Sequence, residues 1–132
     1  MVPHRLYTRE QADQVLPLVR AIVEDQREVY LRVRRSLSAF RSLEDLDEIS
    51  GDHHLPRAAR EDLAELRSFM IELDELGLRI ADPELGLVLF RGLHRGEIVN
   101  FCWKLGEDRV RFWFPAGSHY AERRPIVAAA SS

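Results

Sequence analysis

The sequence predicts an α+β fold: a long antiparallel helical hairpin, preceded by a short helix and followed by a small three- to four-stranded antiparallel β-meander. Two observations carry this prediction. Apolar residues recur every three to four positions through the first half of the chain, and the period then falls to two after Gly77. With 132 residues, the chain has the length of one domain. We expect a single domain over residues 1–127 and a frayed tail over 128–132.

The first helical region begins at Thr8, which forms a capping box with Gln11. The apolar positions that follow have the spacing of a heptad seam: Ala12, Val15, Val19, Ile22, Val29, Val33, Leu37 and Phe40. Gln26 occupies the one polar position in this series. Because Pro17 removes a helical hydrogen bond, the sequence predicts a short helix to about Leu16 and a long second helix from Pro17. A single kinked helix is the alternative.

The second long helix begins near Pro56 and ends at Gly77, which takes a left-handed conformation easily. An acidic connector over residues 42–55 joins it to the first helix. The predicted strands are Leu78–Ala81, Leu85–Arg91, Glu97–Leu105 and Arg109–Phe114. On the third strand, alternation directs Val99, Phe101 and Trp103 toward the helices. The same alternation directs Cys102 toward a more polar surface.

Composition excludes several classes of protein. The 19 Lys and Arg against 22 Asp and Glu give a net charge of −3, which argues against nucleic-acid binding. No apolar run approaches the length of a membrane helix, so we expect no membrane association. The chain begins without a charged-then-apolar leader and contains one cysteine, which cannot form an intramolecular disulfide. These features predict a cytoplasmic protein.

A set of short motifs carries a family resemblance. In chain order they are Leu16-Pro17-x-x-Arg20, Asp82-Pro83-x-x-Gly86-Leu87-Val88-x-Phe90, Cys102-Trp103-x-Leu105-Gly106-Glu107, Trp113, and Arg123-x-Pro125. Together they resemble a bacterial family known as domain of unknown function 2203, and the resemblance covers about Leu6 to Ile126. That family is uncharacterised, so the resemblance implies no activity.

The departures from the family pattern are informative. The family has Asp after Gly-Leu-Val and His directly after the late Trp, where this chain has Leu89 and Phe114. It also has Gly where this chain has His119. We expect Leu89 and Phe114 to face each other, because a joint replacement avoids leaving one buried polar group unpaired. If the family uses that Asp and His for metal binding or proton transfer, this chain is a member that has lost the chemistry.

No motif implies a cofactor. None of the five histidines has the spacing of a metal site, so no metal ligands are predicted. The catalytic candidates are Cys102, Glu107 and His119. Each has a structural alternative: Cys102 as a small residue on a half-buried sheet face, Glu107 as a turn residue, and His119 as a solvated loop residue near Trp113.

A small anion is the ligand that the sequence favours. Arg20 and Arg123 are predicted to meet Trp103 and Trp113, because an aromatic wall with arginine forks suits a carboxylate or a phosphate. The structural alternative is a salt bridge between the tail and the rest of the chain, such as Arg123 to Glu107.

These observations lead to two functional hypotheses. The first is a non-enzymatic interaction or small-anion-binding domain that forms a homodimer through its helical hairpin, since the hairpin has more apolar surface than one small sheet covers. The alternative is a small enzyme or metal-binding protein. Its site would lie on the β-meander, around Cys102, Glu107, Trp113, His119 and Arg123.

Overall fold

The computed structural model describes residues 5–43 and 55–126, with side chains described for residues 5–38 and 55–126. The elements in chain order are α1 (Arg9–Leu43), α2 (Arg57–Glu75), β1 (Leu78–Asp82), β2 (Leu87–His94), β3 (Glu97–Lys104), β4 (Phe112–Pro115), a short 3₁₀ helix (Tyr120–Glu122) and β5 (Arg124–Pro125). Most of the acidic connector, and the tail at 128–132, lie outside the described residues. The domain boundary at residue 127 therefore stays a prediction.

The predicted fold class is confirmed. Two helices precede an antiparallel sheet in the order β1-β2-β3-β4-β5. The sheet has five strands where three or four were predicted, because the two-residue β5 pairs with β4. No helix in the described parts of the chain has an apolar stretch long enough to cross a membrane.

The separate short helix before Pro17 is not present, and the alternative of one continuous helix is the observed one. α1 runs from Arg9 through Pro17 without a break. Pro17 itself is exposed, whereas Leu16 and Val19 beside it are buried. Packing of this buried face against the sheet therefore offsets the one hydrogen bond that proline removes. The capping box is confirmed, because Thr8 and Gln11 exchange hydrogen bonds of 3.0 and 3.1 Å between backbone amides and side chains.

The inner face of the sheet packs on the helices and forms the main core. Val99, Phe101 and Trp103 of β3 point into this core, as alternation predicted. From α1 the core receives Ala12, Leu16, Val19, Ile22 and Val23. Buried aliphatic and aromatic side chains of this kind supply most of the stabilisation of a small domain.

β4 begins at Phe112, three residues later than predicted, because the residues before it bind elsewhere. The backbone amide of Val110 donates to Asp13 Oδ1 of α1 at 2.8 Å. Arg111 pairs with Asp108 at 2.8 Å, and this hydrogen-bonded guanidinium lowers the pKa of the Asp108 carboxyl. The segment is therefore anchored to the helix and to itself rather than to β3.

The outer face of the sheet carries a second, smaller apolar cluster. Leu87, Leu89, Cys102 and Phe114 form it, with Phe112 and Tyr120 packed against them. The expectation that Cys102 faces a polar surface is corrected here, since this cluster buries the thiol. Leu89 and Phe114 share the cluster as expected, but they lie on β2 and β4 with β3 between them.

Candidate functional site

A groove of about 760 Å³ crosses the outer face of the sheet. We call it the outer groove. Its floor follows from the strand register, which places Arg91, Asn100 and Phe114 in one row across β2, β3 and β4. The neighbouring row begins with Arg79 on β1 and Leu89 on β2. Strand pairing alone therefore brings arginines from two strands to one end of the floor and apolar side chains to the other.

The basic end of the groove is completed by the segment that precedes α1. Arg5 lines the groove together with Arg79 and Arg91. Its guanidinium carbon lies 5.0 Å from the centroid of the Tyr7 ring, a cation–π arrangement. Neither Arg79 nor Arg91 forms an ion pair within the described residues, and Asp74 is the one carboxylate in the groove lining. The groove lining therefore contains three positively charged guanidinium groups and one negatively charged carboxylate.

Tyr7 fixes this segment beside β2. Its backbone amide donates to Arg91 at 2.9 Å, and its carbonyl accepts from the amide of Leu93 at 3.0 Å. Its buried hydroxyl donates to the carbonyl oxygen of Leu76. Gly92 permits this close approach, because a Cβ there would overlap the Tyr7 carbonyl and lie 2.6 Å from the Phe101 ring.

The far wall of the groove is the loop from Ala116 to Tyr120. Gly117, with φ +88°, forms the turn, and the amide of Ser118 donates to the carbonyl of Pro115 at 2.9 Å. The Ser118 hydroxyl donates to Glu122, which lowers the pKa of that carboxyl. These contacts hold the loop in one conformation, and a wall of fixed shape is what a binding site requires.

Tyr120 is positioned by an arginine stacked on its ring. The guanidinium carbon of Arg123 lies 4.2 Å from the Tyr120 ring centroid and 5.3 Å from that of Phe112. Burial raises the pKa of the Tyr120 hydroxyl, and the charge of Arg123 partly offsets this. The ring therefore presents a neutral, rigid surface to the groove.

The comparison with protein families gives a match over residues 5–126 to the family described as "Uncharacterized conserved protein (DUF2203)". The chain belongs to the DUF2203 family. The resemblance found in the sequence motifs is therefore confirmed. No curated protein and no solved structure matches the chain. The matched range contains every residue of the outer groove, from Arg5 to Tyr120.

Of the site residues predicted from the sequence, His119 lines the outer groove of this DUF2203 chain and the others do not. His119 is exposed and lies in the loop of the far wall. Leu89 and Phe114, the two positions where we expect a departure from the family pattern, lie in the floor of the same groove. These two positions therefore lie at the apolar end of the groove, away from its arginines.

Arg20, Trp103 and Glu107 meet in a structural cluster at the hairpin between β3 and β4. The indole Nε1 of Trp103 donates to the Glu107 carbonyl at 2.9 Å, and Arg20 Nη2 lies 3.4 Å from the same oxygen. The Glu107 carboxylate accepts from the backbone amide of Lys104 at 2.8 Å. Trp103 is fully buried, whereas Arg20 and Glu107 are half-buried, and the hydrogen bonds among the three stabilise the hairpin.

Trp113 and Arg123 are on opposite sides of the sheet. Trp113 packs against the main core, with its ring centroid 4.8 Å from that of His94 and 5.2 Å from the guanidinium carbon of Arg124. Arg123 lies on the outer side, over Tyr120. Of the four predicted ligand-binding residues, Arg20 and Trp103 do meet, with 5.8 Å between the guanidinium carbon and the ring centroid. None of the four lines the outer groove, which is formed by other described residues.

Cys102 has the environment of a structural residue. It is 1% exposed, and burial raises the pKa of its thiol to about 12, with the Glu107 carboxylate acting in the same direction. A thiol that stays protonated at neutral pH is a poor nucleophile. Within residues 5–43 and 55–126, no three His, Cys, Asp or Glu side chains are grouped so that they could hold a metal ion.

The residues that sequence reasoning missed are Arg5, Arg79 and Arg91. Arg79 and Arg91 each occupy an outward-facing position of a strand, so the alternating pattern contained part of the signal. Their proximity depends on the register between β1 and β2, and that of Arg5 depends on the bridge between Tyr7 and Gly92. Neither relation can be read from local spacing.

Proposed function

We propose that this DUF2203 protein is a binding domain for a small anion, held at the basic end of the outer groove. One observation carries the proposal: Arg5, Arg79 and Arg91 line one groove that contains a single carboxylate, Asp74. A guanidinium group binds carboxylate and phosphate oxygens through paired hydrogen bonds. Clustered arginines without matching acids repel one another, and a bound anion relieves that repulsion.

The dimensions of the groove support the same function. Small-molecule sites have volumes of about 300–1,000 Å³ and combine apolar lining with a few polar groups, and the outer groove has about 760 Å³. Asn100 adds an amide that both donates and accepts hydrogen bonds. Because the floor is a paired sheet and the wall a hydrogen-bonded loop, the site is formed before the ligand arrives.

The test of this proposal is anion-dependent stabilisation against thermal unfolding, with inorganic phosphate and octanoate as probes. A ligand that binds only the folded state raises its stability with ligand concentration. We expect at least one probe to raise the midpoint of the wild-type protein. Arg91→Gln should weaken that anion about tenfold, the loss expected for one charged hydrogen bond.

Arg60→Gln is the matched control, because Arg60 is an exposed arginine on α2 outside the groove. It should leave the response unchanged while lowering the net charge by the same amount. Equal responses in Arg91→Gln and the wild type, or no response to either anion, would contradict the proposal.

A second function, self-association, is favoured by a different surface. Met70 and Ile71 on α2 are 53% and 59% exposed. They lie beside β1, the edge strand of the sheet, and line a shallow groove of about 300 Å³. We call it the edge groove. Its other lining residues are Leu73, Asp74, Leu78, Arg79 and Ile80. Exposed apolar groups beside an open strand edge are typical of an interaction surface.

We propose a second copy of the chain as the occupant of the edge groove. A two-fold axis brings the same patch of both copies together, and this patch carries both an acid, Asp74, and a base, Arg79, around an apolar centre. Each copy therefore offers the opposite charge to the other. This refines the homodimer expected from the hairpin by placing the contact on α2 and β1.

Native mass spectrometry and analytical ultracentrifugation test this second proposal. Ile71→Glu places a charge in the apolar centre and should convert the dimer to a monomer. Leu18→Glu is the matched control, since Leu18 on α1 is 52% exposed and lies outside the edge groove. A monomeric wild-type protein, or dissociation by Leu18→Glu alone, would show that this surface is not the dimer contact.

A further inference from the structure

The outer groove has a polar end and an apolar end, and this asymmetry indicates the chemical class of its ligand. We propose that the groove takes an organic acid: a carboxylate held by the arginines, with an apolar body lying over Leu89 and Phe114. This inference rests on the proposed anion-binding function and adds the class of ligand to it.

The arginines and the apolar floor are adjacent along the strand register. Arg79 pairs with Leu89 between β1 and β2, so a group bound to that guanidinium lies beside an apolar side chain. Arg91 and Phe114 lie at opposite ends of one row, with Asn100 between them. Two interstrand spacings of about 4.8 Å each separate β2 from β4 by about 10 Å. A medium-length acyl chain spans that distance.

Among the described lining residues, the apolar end has no arginine, lysine or carboxylate, and the exposed His119 in the far wall is its one basic side chain. Leu89 and Phe114 are 7% and 4% exposed. The far wall contributes Ala116 and the ring of Tyr120 as apolar surface, beside the polar Ser118 and His119 of the same loop. A purely polar anion such as inorganic phosphate leaves this half filled with water. An apolar body displaces that water, and each fully buried methylene contributes about fourfold in affinity.

The head group belongs at the end of the groove that Arg5, Arg79 and Arg91 line. Arg5, Arg79 and Arg91 approach from the N-terminal segment, β1 and β2. Because Asp74 stands on this side as well, the local charge does not require a highly charged anion. One carboxylate that receives paired hydrogen bonds from a guanidinium satisfies this end.

Isothermal titration calorimetry on the full chain tests the inference with four probes: octanoate, acetate, inorganic phosphate and 1-octanol. Octanoate below its micelle concentration should bind at least tenfold more tightly than acetate or phosphate. It should also exceed 1-octanol, which has the apolar body without the charge. Arg91→Gln should weaken octanoate about tenfold, and Arg60→Gln should not.

The floor has its own pair of variants. Leu89→Asn makes the floor polar, so it should weaken the binding of octanoate about tenfold and leave the binding of acetate unchanged. Leu89→Met keeps the floor apolar and should bind octanoate as tightly as the wild type does. If Leu89→Asn does not fold, the wild-type preference for octanoate over acetate decides the question.

The possible outcomes distinguish the proposed anion-binding function from the further claim that the ligand is an organic acid. If acetate or phosphate binds as tightly as octanoate and Arg91→Gln weakens it, the organic-acid inference is overturned and the anion site stands. Binding of 1-octanol equal to that of octanoate overturns the role of the arginines. Unchanged octanoate binding in Arg91→Gln, or no binding of any probe, overturns both claims.

Discussion

At the scale of single residues, burial controls the chemistry of Cys102. The thiol lies in the outer apolar cluster with its pKa raised to about 12, so it is neutral at physiological pH. We expect iodoacetamide to modify native Cys102 far more slowly than it modifies the same residue in the urea-unfolded chain. Mass spectrometry over time measures both rates. Rapid modification of the native protein near neutral pH would instead restore Cys102 as a nucleophile.

His94 gives the protein a specific pH dependence of stability. Its ring packs against Trp113 and Phe101, and burial together with the charge of Arg95 lowers its pKa from the ordinary 6.5. The unfolded chain therefore takes up the proton first as the pH falls. The contribution of neutral His94 is complete above pH 6.5 and is lost as the pH drops through the lower native pKa.

The variant that checks this linkage is His94→Phe. Between about pH 7.5 and pH 5, its free energy of unfolding should fall less than that of the wild type, because one proton-linked group has been removed. Urea denaturation at each pH measures the difference. His119→Gln is the control, since the His119 ring is exposed and lies outside this stack of rings. Parallel pH profiles for His94→Phe and the wild type would exclude the linkage.

For single residues, the sequence predicts the direction in which a side chain points but not how deeply it is buried. The alternation of β3 correctly assigns Trp103 to the inner face and Cys102 to the outer one. It fails to predict that the outer face is covered, because the covering residue Tyr120 comes from the 3₁₀ helix after β4. A local pattern gives the direction of a side chain, whereas its environment depends on distant parts of the chain.

At the scale of elements, α1 contains a polar residue within its buried face. Gln26 is 1% exposed, and its Oε1 has no hydrogen-bond partner among the described residues. A buried polar atom without a partner costs about 1–3 kcal/mol. Gln26→Leu should therefore raise the free energy of unfolding by about 1 kcal/mol, once the imperfect fit of leucine is allowed for.

Urea denaturation measures this gain, and Gln14→Leu is the matched control. Gln14 is exposed on the same helix, so its substitution should change stability by less than about 0.5 kcal/mol. Because Gln26 is buried within its own chain and lies outside the edge groove, the same substitution should leave the subunit number in native mass spectrometry unchanged.

The elements themselves could be predicted because their signals are local. Apolar spacing gives both long helices, the Thr8 capping box gives the start of α1, and Gly77, with φ +80°, follows the end of α2. The errors occur where tertiary contacts outweigh local preference. Packing against the sheet keeps α1 helical through Pro17. The hydrogen bond from the Val110 amide to Asp13 binds the segment before β4 to α1, so β4 begins later than predicted.

At the scale of the whole molecule, the proposed binding surface could not be predicted from the sequence. Arg5, Arg79 and Arg91 come from three separate segments and line one groove because β1 pairs with β2 and Tyr7 is bridged to Gly92. The sequence-based candidates were chosen from conspicuous residue types, such as tryptophan. In the folded chain the two tryptophans pack against or within the core and support the hairpin and the sheet.

Asp74, Leu78 and Arg79 line both the outer groove and the edge groove. If the partner's Asp74 pairs with Arg79 in a dimer, that guanidinium is less available to an anion, so the two events oppose each other. Thermodynamic linkage makes the effect reciprocal. Octanoate should therefore shift the monomer–dimer equilibrium toward monomer, by the same factor by which dimerisation weakens octanoate, and sedimentation at several octanoate concentrations measures that factor. Under these two proposals, the subunit number of the protein would follow the concentration of its ligand.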